Sequence, residues 1–139
     1  MKKKVLIFGG SGFVGINLSK FLAKKNYSIV STYTNKKPKK IQNVKFVKFD
    51  LMSNRFDIKI FKNVDTVFVC SANSSGARVM TNNPASHFED NLMMNLNIVK
   101  NLQFSRIKKI IFLSSSTVYP DTKKICDEKS VNYTFFKKY

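Results

Sequence analysis

Gly9-Gly10-Ser11-Gly12-Phe13-Val14-Gly15 spaces its glycines as GxxGxxG, directly after the apolar run Val5-Leu6-Ile7-Phe8. A turn this tight requires glycine, and a pyrophosphate reaches backbone N–H groups only where no Cβ intervenes. A helix starting at such a loop adds partial positive charge at its first turn. The spacing predicts a dinucleotide site, with Gly9, Gly12 and Gly15 at the pyrophosphate and Ser11 on the phosphates through its backbone or hydroxyl. A glycine-rich turn without a ligand is the plainer alternative.

The end of the second strand bears on which dinucleotide. An Asp or Glu there binds the ribose 2′-OH of NAD, yet no acidic residue precedes Asp50. Ser31-Thr32-Tyr33-Thr34 and then Lys36 and Lys37 stand in that place. Hydroxyls and cations favour a 2′-phosphate and a carboxylate opposes one. NADP is therefore expected over NAD, with Thr32 and Lys36 facing the 2′-phosphate. His87 is the single histidine and no second ligand type clusters with it, so no metal site is expected.

The elements that must position these residues follow from the hydrophobic pattern. Val5 to Phe8 reads as a strand buried on both faces. Val14, Leu18, Phe21 and Leu22 recur at the spacing of one helix face. Tyr27 to Tyr33, Val44 to Phe49 and Val64 to Cys70 read as further strands, with a basic loop from Asn35 to Lys40. Val44 to Phe49 alternates apolar residues with lysine, as a strand with one exposed face does. After a polar segment, Asn83 and Pro84 suit a helix start. Phe88, Leu92, Leu96 and Val99 carry a helical stripe toward Phe104, and Lys109 to Leu113 forms a last strand ending in three serines. Strand and helix in alternation predict a parallel sheet covered on both faces. Asp121 to Tyr139 is basic and aromatic, without a clear period.

Composition narrows the class. The chain has 139 residues, room for one domain, and is 43% hydrophobic with few Gly and Pro, which argues against disorder and collagen. No stretch approaches the roughly 18 apolar residues of a membrane span, and the apolar run after Lys2-Lys3-Lys4 is too short for a signal peptide. Two cysteines, Cys70 and Cys126, suit a reducing compartment, and a cytoplasmic location is expected. A net charge of +17 raises nucleic-acid binding as an alternative. It is disfavoured because 22 of the 25 basic residues are lysine, spread in pairs along the chain.

With these motifs in order, the sequence resembles the extended short-chain dehydrogenase/reductases, or NAD-dependent epimerase/dehydratases, which act on nucleotide sugars. GGSGFVG is similar to that family's TGxxGFxG fingerprint, bringing Phe13 and Val14 into the cofactor loop. Asp50-Leu51 resembles the pair that holds the adenine, and Ser71-Ala72 the small pair packing against the cofactor. Asn91 and Asn97 match two asparagines of the family's NVxGTxN pattern, and Ser114-Ser115-Ser116-Thr117-Val118-Tyr119 is similar to its SSSxxVYG segment. Asn91 is thereby implied as a cofactor-binding residue. Ser74-Ser75-Gly76-Ala77-Arg78 and Tyr119-Pro120 look closest to GDP-L-fucose synthases, which use NADPH to reduce a GDP-4-keto-6-deoxy sugar.

The resemblance implies that Ser115 hydrogen-bonds the sugar oxygen at the carbon exchanging hydride; a strand-end turn serine is the alternative. It also asks for a Tyr-x-x-x-Lys pair, whose spacing is met by Tyr133 and Lys137, only eighteen positions after Ser115. Thr117 stands where fucose synthases carry the epimerising cysteine. Family members are longer, their second half completing the sheet and building a sugar-binding domain. The expected architecture is thus α/β, the N-terminal portion of a Rossmann-type doubly wound parallel sheet, incomplete over residues 1–139, with the substrate domain absent. The expected partner is a nucleotide-sugar substrate, with no membrane and a homo-oligomer in full-length form. The fragment is expected to have little activity alone. A non-catalytic NAD(P)-binding sensor is the alternative.

Overall fold

Four consecutive apolar side chains, Val5 to Phe8, can all be buried only if both faces of their strand are covered, and they are. In the computed structural model, which describes residues 2–53, 57–74, 82, 84–103, 105–115, 118–120 and 123–131, this strand is β1, Lys4–Phe8, at the centre of the sheet. It is followed by α1 (Phe13–Lys24), β2 (Ser28–Tyr33), β3 (Val44–Lys48), β4 (Thr66–Val69), α2 (Pro84–Leu102) and β5 (Lys109–Phe112). All four pairings are parallel, and the order is β3-β2-β1-β4-β5. The order reverses between β1 and β4, the switch point of a Rossmann-type sheet.

The two-residue period of β1 divides the core. Leu6 and Phe8 pack with Val30, Val67, Val69, Ile98 and Leu102 on the α2 side. Val5 and Ile7 pack with Ile29 and Leu22 on the α1 side. Phe8 also meets Phe49 and Phe61, with ring centroids 5.7 and 6.1 Å away. Asn26, Asn43 and Asn63 adopt φ of 64°, 63° and 59° shortly before β2, β3 and β4. Asparagine is among the few residues that tolerate this left-handed turn geometry.

The strands agree with the sequence reading to within two residues at either end. The α1 stripe is right at Leu18 and Leu22, which pack inward, and wrong at Val14 and Phe21, while α2 turns a different face inward. On α1 the buried residues are Gly15, Ser19 and Leu22, whereas Val14 and Phe21 are exposed; Lys25 Nζ lies 5.9 Å from the Phe21 ring centroid. Gly15 and Ser19 bring α1 close to the sheet, with Leu18 and Leu22 packed inward and Val14 and Phe21 left outside. On α2, Ile98 and Leu102 are buried with Met94 packed beside them, while Phe88 and Val99 are 66% and 65% exposed. The expected Asn83 cap lies outside the described residues. No described helix is long and apolar enough to cross a membrane.

Candidate dinucleotide site

Parallel strands end together, so the segments following β1, β2, β3 and β4 surround one cavity of about 550 Å³. Gly9, Ser11 and Gly12 enter it after β1, Thr32 to Asn35 at the end of β2, Phe49 to Met52 after β3, and Cys70 to Asn73 after β4.

The glycine loop is held by steric necessity. Gly9 has φ +75°, and a Cβ there would lie 2.6 Å from Ser71 N. A Cβ at Gly15 would overlap the Gly9 carbonyl oxygen, and one at Gly10 would overlap Ser31 Oγ. Gly12 differs: a Cβ there would meet only Gly9 O, at 3.3 Å. Its N–H donates to Gly9 O (3.0 Å), and its carbonyl accepts the first helical bond, from Ile16 N at 2.9 Å. The N–H groups of Phe13, Val14 and Gly15 precede that bond, no side chain caps the helix, and its first turn carries no acid. The side chains of Phe13 and Val14 are exposed and do not line the cavity.

Hydroxyls on β2 lock the loop from behind. Thr32 Oγ1 accepts the Gly9 N–H at 3.1 Å. Ser19 Oγ donates to Gly15 O at 2.8 Å and pairs with Ser31 Oγ at 3.0 Å, so Ser31 supplies the second proton. Thr32 is 2% exposed. Its oxygen braces the loop while its own O–H remains free to donate, and Thr32, Tyr33, Thr34 and Asn35 all line the cavity at the end of β2. Lys36 is exposed and outside the cavity wall.

Two asparagines on α2 fasten the remaining loops. Asn91 Oδ1 accepts the Asn73 backbone N–H at 2.9 Å, and its Nδ2 donates to Asn73 O at 3.0 Å. Asn97 Nδ2 donates to Leu51 O at 2.8 Å. Asn91 therefore positions the loop after β4. Leu51 belongs to the core, and Asp50 is exposed at the rim, its Oδ1 accepting the Met52 N–H at 2.9 Å. Burial pushes the Cys70 thiol above its ordinary pKa. Gly10, Ser31 and Asn73 were not singled out in the sequence. Only the pairing of Ile7 with Ser31 brings β2 beneath Gly10.

Ser71 Oγ is buried, lines this cavity and has no hydrogen-bond partner among the described residues. Together with the uncapped N–H groups at Gly12, this fits a bound dinucleotide. Ser71→Ala is expected to stabilise the ligand-free chain by about 1 kcal/mol, because an unsatisfied buried hydroxyl is removed. The same change should shrink the rise in melting temperature expected on adding NADPH. Thermal melts with and without NADPH check both signs.

Ser115 is exposed beyond β5 and does not line the cavity; its carbonyl accepts the Val118 N–H at 3.3 Å. Tyr133, Lys137 and Thr117 lie outside the described residues.

Fold and site together define an α/β unit of the nucleotide-binding, switch-point class. The family model for the NAD dependent epimerase/dehydratase family matches residues 5–138, and the chain belongs to that family. It is similar to an uncharacterized protein of Methanocaldococcus jannaschii, 29% identical over 144 residues, covering 88% of this chain and 43% of that one. It also resembles GDP-mannose 3,5-epimerase 1 of Oryza sativa subsp. indica, 23% identical over 127 residues, covering 89% of this chain and 34% of the relative. Among solved structures, an epimerase from Methanothermobacter thermautotrophicus superposes with a TM-score of 0.79 at 26% identity, covering 95% of this chain and 41% of that one. A UDP-glucose-4-epimerase from Stenotrophomonas maltophila with bound NAD gives 0.76 at 19% identity, covering 94% and 43%. The chain thus spans about two fifths of the length of these relatives.

Proposed function

We propose that residues 1–139 form the NAD(P)-binding portion of an enzyme that modifies a nucleotide sugar. The observation carrying this is the uncapped, acid-free start of α1 beside the buried, unpartnered Ser71 hydroxyl. Nicotinamide dinucleotides, when bound, supply hydride exchange. Here Gly9, Gly12 and Gly15 keep the loop backbone open, Ser11, Phe13, Val14 and Gly15 offer N–H groups to phosphates, and Asp50 and Leu51 border the adenine. Ser71 and Ala72 border the cofactor along the end of β4. Ser115 would orient the reacting sugar oxygen, and Tyr133 with Lys137 would exchange its proton.

The finer reading is NADP as cofactor and a reductase of the GDP-L-fucose synthase kind. Supporting NADP is the β2 end, where Thr34 and Asn35 line the cavity with no carboxylate beside them and Lys36 follows. Supporting a GDP sugar is the likeness to a protein described as a GDP-mannose epimerase. A homo-oligomer belongs to this reading, supported by the exposed apolar stripe on α2. A cytoplasmic setting is supported by two free cysteines.

Calorimetry with NADPH and NADH tests the reading. NADPH is expected to bind in the micromolar range, about tenfold more tightly than NADH. Asn35→Asp should reverse that preference by setting a carboxylate at the rim. Tighter NADH binding by the native chain would sink the NADP assignment. With the fold intact by circular dichroism, binding of neither would sink the dinucleotide site itself.

A further inference from the structure

Lysines that are scattered in the sequence converge where the strands begin. At the amino ends of the sheet, opposite the glycine loop, lies a second cavity of about 800 Å³. Lys2, Lys3 and Lys4 border it at the start of β1, Lys62 before β4, and Arg106 and Lys108 before β5. Asp65 is the one carboxylate among its described lining residues, and it is already engaged. Its Oδ2 accepts the Lys4 backbone N–H at 3.1 Å, and its Oδ1 lies 3.9 Å from Lys108 Nζ.

The sheet fixes where these cations emerge. Asp65 N donates to Lys4 O at 2.9 Å, and Lys108 N donates to Asp65 O at 3.0 Å. Lys4 Nζ is tied to Lys62 O at 2.6 Å. Burial holds the Lys4 ammonium below the ordinary lysine pKa, with Lys45 and Lys62 adding like-charge repulsion. Six cations around one concavity, facing one occupied carboxylate, produce a focused positive potential.

The shape and lining select among anions. The one aromatic ring among the described lining residues, Phe61, is buried in the core, so these residues offer no exposed platform for stacking bases. A cavity of this volume suits a compact ligand better than an extended strand. We propose that this cavity binds a compact anion carrying several phosphates, through Lys2, Lys3, Lys4, Lys62, Arg106 and Lys108.

The test uses inorganic tripolyphosphate, titrated by calorimetry into the full chain at about 0.1 M salt, where surface charges are screened beyond about 10 Å. Two variants of equal charge are compared. One removes cavity cations (K62Q, R106Q and K108Q), and the other removes exposed lysines outside the cavity (K20Q, K39Q and K123Q). The proposal expects the first to weaken tripolyphosphate binding about tenfold or more and the second to change it by about twofold or less. Equal losses in both, or retention of binding by the cavity variant, would assign binding to diffuse charge or to the glycine loop and overturn it. So would an absence of binding by the native chain. A single-stranded oligothymidylate is the second arm. Weaker binding than tripolyphosphate supports a compact ligand; tighter binding that the cavity variant abolishes overturns that choice in favour of a nucleic-acid backbone.

Discussion

Gly15→Ala should cost the fold about 2–4 kcal/mol, while Gly12→Ala should cost about 1 kcal/mol or less and act on the ligand instead. The two positions share one motif but meet different surroundings. A methyl group at Gly15 would overlap Gly9 O and lie 2.8 Å from Gly10 Cα, atoms of a backbone with no rotamer to yield. Relief would require α1 to withdraw from the sheet, breaking the bond between Ser19 and Ser31. At Gly12 the methyl meets only Gly9 O at 3.3 Å, and the extended backbone, φ −74° and ψ 168°, suits alanine. The methyl would stand at the mouth of the helix among uncapped N–H groups, where a pyrophosphate must come close. Denaturant unfolding should therefore separate the variants by stability. NADPH titration of Gly12→Ala should show affinity about tenfold lower or worse. Unchanged affinity in a stable Gly12→Ala variant would mean that phosphates do not approach this loop.

Asn91→Leu is expected to lower stability by about 2–3 kcal/mol and to weaken dinucleotide binding with it. The side chain is half-buried and makes both an accepting and a donating bond to the Asn73 backbone. Leucine leaves that N–H and carbonyl without these partners, and each loss costs about 1 kcal/mol or more where water is restricted. Asn91→Asp keeps the acceptor for the Asn73 N–H but sets a carboxylate oxygen against the Asn73 carbonyl, so it too should destabilise the loop. A positioning role predicts more than lost stability. Amide exchange should accelerate selectively across residues 71–74, while the β1 and β2 amides keep their protection until global unfolding. Uniform acceleration across the sheet would instead mark Asn91 as an ordinary packing residue.

Much of the site was legible in the sequence because its signals are local. An apolar run stopped by spaced glycines specifies a buried strand, a turn and a helix start within a dozen residues, as β1 and α1 show. The end of β2 was equally legible as lacking a carboxylate. That Thr32 also braces Gly9, 23 residues away, could not be read from its position. The spacing of Asn91 and Asn97 marked them as important, but their work on Asn73 and Leu51 depends on where α2 crosses two loops.

The apolar stripes of both helices were readable as periodicity but only in part as direction. Hydrophobic spacing favours the bulkiest residues as the inward face, whereas Gly15 and Ser19 let α1 approach the sheet closely and leave Phe21 outside. The charges show the same division. By itself the sequence determined a parallel α/β sheet with a phosphate-ready glycine loop, because strand burial and turn geometry are encoded by neighbouring residues. Only the tertiary structure decided which hydroxyls brace that loop, which helix faces turn inward, and that six distant cations border one cavity. Those outcomes depend on strand order and register, which align residues many positions apart.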